Sequence, residues 1–241
     1  MDKKPKIAIL RWEAGHVPEG LMQLETMPGN STNLASYPFP VRLEHVPGAC
    51  TETIITHPSQ EVLNRMIDIA NRLAKEEGIE AISTSCGFNA VFQRQLAEAV
   101  DIPVFTSSLL QVPFVQQMIG KDKTVGVITA NKSSLTKDHM EFCNITDDIN
   151  VKVFGLENAK EFGKIFDCPD ERFDMDAVAQ EVVGTAVEAV KANPDIAAFV
   201  LECTDLPPFA GKIREATGLP VFDFVSMMGH VAMGLGVVTY Y

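Results

Sequence analysis

Five cysteines, at positions 50, 86, 143, 168 and 203, are the strongest nucleophiles that the sequence offers. Two of them form a pair. Cys86 and Cys203 lie 117 residues apart, and so do Pro103 and Pro220. Laid over each other without a gap, 86–106 and 203–223 also match Phe92 with Phe209, Glu98 with Glu215, Ala99 with Ala216, Val104 with Val221 and Phe105 with Phe222. With the offset raised to 118, Ile7-Ala8-Ile9-Leu10 matches Val125-Gly126-Val127-Ile128. Similarity at a fixed period marks a repeated structural unit. Generic strand–helix–strand units share apolar residues, but nothing in them calls for a cysteine at a strand end. Two thiols on opposite faces of a substrate carbon suit racemisation or epimerisation: one removes a proton and the other returns one. Positioned acid–base groups each contribute about 10²–10⁴-fold. A free thiol titrates at about 8.5, and a helix N-terminus just after it favours the thiolate. Cys50, Cys143 and Cys168 lack the symmetry and read as structural or incidental. The odd, scattered set without a C-x-x-C pair fits neither a disulfide framework nor a zinc knuckle.

Short apolar runs predict the strands that would carry these thiols, at 6–10, 41–46, 81–84, 103–106, 124–129, 151–154, 197–201 and 220–222. Little polar alternation within them points to strands covered on both faces, as in parallel sheets. Helical spacing predicts helices over 59–77, stopped by Gly78, over 89–100, and over 175–192, begun after the N-cap Asp174 and ended at Asn193-Pro194. The order is βαβα throughout. The fold class expected is α/β: two pseudo-symmetric, doubly wound parallel-sheet domains with the active site in the cleft between them. The first would span 1–112 plus 224–241, with the apolar run 225–238 as a helix packed back on it, and the second 113–223. Carboxyl ends of parallel strands are where such folds place ligands, so both cysteines would face one cleft. The stretch 24–40, with Pro28-Gly29-Asn30 and Pro38-Phe39-Pro40, lacks periodicity and reads as a long ordered loop of the kind that carries function.

Around the thiols, Thr84, Ser85, Asn89 and Thr204 either donate hydrogen bonds to a substrate carboxylate or serve turns and caps. Gly87 leaves room for close backbone approach beside Cys86. Thr129 and Asn131 end the first strand of the second half, where anionic oxygens can meet a helix N-terminus. Asp205, with Pro207 after it, either orients Cys203 or caps the next helix. Asn33 in the loop and Arg11 at a strand end complete the candidate substrate-binding set. Glu202 is unusual in a buried strand; it either pairs with a cation such as Arg11 or Arg42 or points away from the cleft. With 20 Lys+Arg against 32 Asp+Glu the net charge is −12, which argues against nucleic acid and anionic membranes. No apolar run approaches the ~18 residues of a membrane span. The five histidines show no ligand spacing, so no metal is expected, and no phosphate loop is present. A cytoplasmic protein is expected, and a homo-oligomer with contacts along 225–238.

Thr84-Ser85-Cys86-Gly87-Phe88-Asn89 and Leu201-Glu202-Cys203-Thr204-Asp205-Leu206-Pro207-Pro208 resemble the two cysteine motifs of the aspartate/glutamate racemase superfamily, which includes aspartate, glutamate and hydantoin racemases. The resemblance covers nearly the whole chain. It implies two α/β domains, a cleft, Cys86 and Cys203 as catalytic residues, and no cofactor. Amino-acid racemases usually carry Asn-Thr after the first cysteine, where Gly87-Phe88 stands, and glutamate racemases an N-terminal Asp-Ser, where Arg11-Trp12-Glu13 stands. These departures, with the Pro28–Pro40 loop, point to a separate branch and away from aspartate or glutamate as substrate. The function expected is a cofactor-independent racemase or epimerase that inverts a carbon next to a carboxyl or carbonyl of a small amino-acid-like or hydantoin-like substrate. The alternatives are a single-thiol isomerase or decarboxylase of a small dicarboxylate, and a non-catalytic small-molecule binder of the same fold.

Overall fold

A computed structural model describes residues 4–239. Residues 1–3 and 240–241, the ends of the expected first domain, lie outside the described residues. The strands are β1 (Ile7–Arg11), β2 (Val41–His45), β3 (Ala81–Thr84), β4 (Val104–Phe105), β5 (Thr124–Thr129), β6 (Val151–Gly155), β7 (Ile196–Leu201) and β8 (Val221–Phe222). The helices are α1 (Glu19–Glu25), α2 (Gln60–Arg72), α3 (Gln93–Ala99), α4 (Val112–Ile119), α5 (Lys137–Phe142), α6 (Lys164–Asp167), α7 (Met175–Ala192), α8 (Ala210–Thr217) and α9 (Phe224–Gly234). The strands form two four-stranded parallel sheets, ordered β2-β1-β3-β4 and β6-β5-β7-β8. The second order is the first repeated. The 117-residue offset superposes β4 on β8 and the start of α3 on the start of α8.

Both sheets are covered on two faces because alternate residues point to opposite sides. In the first, Ala8, Leu10 and Ile82 meet Val62, Leu63 and Met66 of α2, whereas Ile7, Ile9 and Ala81 meet Phe224, Met227 and Met228 of α9. In the second, Ile128, Phe199 and Leu201 pack on Val178 and Val182 of α7 and Ile213 of α8. Val125, Val127 and Val200 face Val112 and Val115 of α4. This double burial is why the inner strands β1, β5 and β7 read as apolar runs, whereas the edge strands β2 and β6 are partly exposed.

Several boundaries differ from the sequence reading. The helix expected over 59–77 is α-helical to Arg72 and then widens to a π turn, Leu73–Glu77, before Gly78 turns left-handed at φ +73°. The segment expected as a helix from 89 begins as a 3-10 turn, Gly87–Phe92, and becomes α-helical at Gln93. The closing helix ends at Gly234. The helices α1, α4, α5 and α6 were not read from the sequence; at four to eight residues they are too short to display a helical period. The stretch expected as a loop over 24–40 begins within α1 and holds one 3-10 turn, Leu34–Ser36, capped by Asn33. Among the described residues no helix is long and apolar enough to cross a membrane.

Candidate active site

Each cysteine follows the strand next to the first strand of its sheet, at the carboxyl end. One residue earlier the backbone is tethered in the same way in both halves. The Ser85 N–H donates to the Leu10 carbonyl (2.9 Å), and the Glu202 N–H to the Ile128 carbonyl (2.8 Å). The two motifs then touch directly: Thr204 Oγ1 donates to the Ser85 carbonyl (2.8 Å). Ser108 Oγ adds a second link between the halves by donating to the Leu201 carbonyl (2.6 Å). Facing strand ends leave a cavity of about 400 Å³, and Cys86 and Cys203 both line it. That volume suits a small organic molecule.

Of the candidate binding residues, Arg11, Ser85, Gly87, Thr204 and Asp205 also line the cavity. The others serve the walls. Thr84 Oγ1 donates to the Thr106 carbonyl (2.6 Å), and Asn89 Nδ2 to the Cys86 carbonyl (3.0 Å). Thr129 Oγ1 donates to Glu202 Oε2 (2.7 Å). Asn131 caps the turn at Lys132–Ser134. Asn33 caps its own 3-10 turn and donates to the Thr26 and Met27 carbonyls. Arg11 is held by Glu25 at 3.2 Å.

Asp205 does not cap a helix. The turn after it starts at Pro207 with Leu206 in the cap position and no side-chain capping bond. The Asp205 carboxylate instead accepts from Asn30 Nδ2 (2.7 Å) and lies 3.9 Å from Cys203 Sγ, which donates to it. Asn30 comes from the 24–40 loop and is fully buried. The same loop donates twice more to the second motif, from the Ser31 N–H (3.3 Å) and Ser31 Oγ (3.1 Å) to the Thr204 carbonyl. Gly29, at φ +95°, fits against Pro208, which a Cβ there would meet at 3.2 Å. The loop therefore belongs to the first half by chain and to the second motif by contact.

The expected lowering of both thiols does not occur. Backbone N–H groups of Phe88 and Asn89 do favour the Cys86 thiolate, but burial, followed by the nearby Glu202 carboxylate, pushes the thiol up. Burial, then Asp205, pushes Cys203 well above the usual thiol range. Asp205 is itself raised to about 6 by burial, against the Asn30 hydrogen bond. Burial raises Glu202 to about 7, against the bond from Thr129. Glu202 pairs with neither Arg11 nor Arg42; these arginines bind Glu25 and Glu44. Its carboxyl lies over Gly87, where a Cβ would fall 2.2 Å from Glu202 Oε1 and from its carbonyl oxygen. The glycine is required by the opposite half of the molecule. Thiols protonated at neutral pH need a base to release the proton, and the Cys203–Asp205 contact supplies one.

Sequence reasoning missed Trp12, Thr32, Phe88 and Glu25 as cavity residues, and Asn30 behind them. Trp12 had a signal, since it follows Arg11 at the carboxyl end of β1. Glu25 had none, because α1 itself was not read.

No family model matches the chain. Among curated proteins, a dimethylsulfoniopropionate lyase of Durusdinium sp. clade D is 31% identical over 219 residues, covering 87% of this chain and 72% of that protein. Dimethylsulfoniopropionate lyase 3 of Emiliania huxleyi is 32% identical over 208 residues, covering 82% of this chain; the chain spans 53% of that relative's length. Among solved structures, an arylmalonate decarboxylase variant aligns with TM-score 0.63 at 19% identity, over 98% of this chain and 95% of that one. Allantoin racemase from Pseudomonas fluorescens gives 0.61 at 16%, over 95% and 91%. Glutamate racemase from Bacillus anthracis gives 0.56 at 14%, over 100% and 85%. The superfamily resemblance read from the two cysteine motifs thus holds at the level of the fold, and the relatives support an enzyme. The sequence match over most of both chains is more specific: the chain belongs to the family of dimethylsulfoniopropionate lyases, built on the fold of the aspartate/glutamate racemase superfamily.

Proposed function

We propose that this chain is a lyase that cleaves the carbon–sulfur bond of dimethylsulfoniopropionate, with the Cys203 thiolate as the base. The observation that carries the proton chemistry is the Cys203–Asp205 contact inside a cavity shared with Cys86; family membership supplies the substrate. Asp205 accepts the thiol proton, and the resulting thiolate removes a proton from the carbon next to the substrate carboxylate. The electron pair of that C–H bond becomes the Cα–Cβ double bond. The Cβ–S bond breaks, and its pair leaves on sulfur. The products are neutral dimethyl sulfide, acrylate, and a proton left on the enzyme. No oxidant or reductant is needed. The positive charge on sulfur makes it a good leaving group, so the carbanion does not need to persist long enough to be reprotonated. Free cysteines suit a reducing compartment, consistent with a cytoplasmic setting.

A second reading, inversion of the carbon next to the carboxylate of a different, chiral substrate, draws on Cys86 standing in the cavity as a second acid. The two readings share the first proton transfer and differ in the fate of the carbanion. Proton NMR of the purified protein with dimethylsulfoniopropionate in D2O separates them. The lyase reading expects dimethyl sulfide and acrylate in equal amounts. Unchanged substrate with no sulfide released would overturn it. Deuterium at the α carbon of a chiral carboxylate substrate, without fragmentation, would favour inversion.

A further inference from the structure

The carboxyl of Glu202, which acts on both thiols, is not used by the proton-transfer scheme. It is fully buried, and Thr129 holds Oε2, while Oε1 has no hydrogen-bond partner among the described residues. Of the other carboxylates that line the cavity, Glu25 is held by Arg11 and Asp205 by Asn30 and Cys203, whereas Glu13 is exposed to solvent. A buried polar atom left unpaired costs about 1–3 kcal/mol, and Oε1 is kept that way directly behind Gly87, a residue of the cavity wall. At the corresponding place in the first half stands Ser85, so the charge is on one side only.

We propose that Glu202 receives the positive charge of a small zwitterionic onium substrate, and so selects sulfonium and quaternary ammonium carboxylates over carboxylates that lack the cation. The inference rests on the lyase reading above and deepens it. An onium centre carries charge but no N–H or O–H, so it is recognised by a carboxylate oxygen free of competing donors and by aromatic faces. Trp12, Phe88 and Phe166 line the same cavity. Trp12 also leaves its buried indole Nε1 without an acceptor, a donor suited to the carboxylate end of such a molecule. Oε1 lies over Gly87, next to Cys86, so the cationic end would lie beside the first motif while Cys203 faces the α carbon.

The test compares 3-(trimethylammonio)propionate, which has the cationic charge but a poor leaving group, with 4,4-dimethylpentanoate, the same shape with a neutral carbon in place of the charged nitrogen. Calorimetry on the full chain should show Glu202→Gln weakening the ammonium ligand about tenfold or more while 4,4-dimethylpentanoate is not weakened. KM for dimethylsulfoniopropionate should rise in parallel, with a smaller change in kcat. Thr129→Val, which keeps the carboxyl but loosens it, should give a smaller shift in the same direction. Equal weakening of both ligands, or no preference of the wild type for the charged one, would overturn the proposal. Selective binding of the ammonium ligand without sulfide release would leave it standing and sink the lyase reading. Sulfide release with an unchanged KM in Glu202→Gln would do the reverse.

Discussion

The two halves of the molecule share strand order, thiol position and the backbone tether before each thiol, yet they surround their cysteines differently. In the 117-residue correspondence Ser85 faces Glu202, Gly87 faces Thr204, and Phe88 faces Asp205. The first half contributes a small residue, a glycine and an aromatic ring; the second contributes both carboxyl groups and the hydroxyl that bridges to Ser85. Cys86 has backbone N–H groups but no carboxyl hydrogen-bonded to it, whereas Cys203 has one at 3.9 Å. A symmetric scaffold has been given one basic side and one open side. Symmetry suits a reaction whose substrate and product are mirror images; this asymmetry suits one that removes a proton and does not return it.

The largest expected effect on stability concerns the acid that only the second half carries, just after its strand β7. The folded protein holds the Glu202 proton to about pH 7, whereas the unfolded chain releases it near the ordinary carboxylate value of 4.5. Between those pH values the native state binds more protons, so stability falls as pH rises, by about 3 kcal/mol for this group. Urea unfolding at pH 4.5 and pH 8 should show that loss together with the one from Asp205, and Glu202→Gln should remove the Glu202 share alone. Asp205→Asn should lower kcat about 100-fold, as for loss of a positioned base. In the wild type kcat should fall below about pH 6, where Asp205 takes up a proton and can no longer accept one from Cys203; the pH profile of kcat in the variant should lack that limb. Gly87→Ala drives a methyl into the Glu202 carbonyl and carboxyl, and thermal or chemical unfolding should register about 1–3 kcal/mol, as for an overpacked site. Its counterpart Thr204→Ala removes one hydrogen bond to Ser85 and should cost about 1 kcal/mol. A reversed order within that last pair would mean that the halves do not meet through Gly87.

The repeat, the parallel strands and the thiol pair were legible in the sequence because double burial leaves apolar runs and cysteines at strand ends are conspicuous. The long helix α7 was legible to the residue, from its N-cap Asp174 to Ala192. What could not be read depends on contacts between segments distant in the chain. Asp205 looked like a cap because Pro207 follows it; its partner Asn30 is 175 residues away. Glu202 looked like half of an ion pair, and only the fold shows that Thr129 holds it while Arg11 is taken by Glu25. The thiols looked activated because a helix start lowers a pKa; the burial that outweighs it is a property of the closed cavity. Gly87 read as room for a close backbone approach beside Cys86, and what approaches is Glu202 from the other half.

The difference between the two thiols is tested most directly by the initial rate of dimethyl sulfide release from dimethylsulfoniopropionate, measured by headspace gas chromatography for Cys203→Ser and Cys86→Ser side by side. The account expects Cys203→Ser to lose on the order of 10³-fold, the loss of a general base, and Cys86→Ser to lose only about tenfold, the cost of a reshaped wall. Equal losses in the two variants, or a larger loss at Cys86, would contradict it.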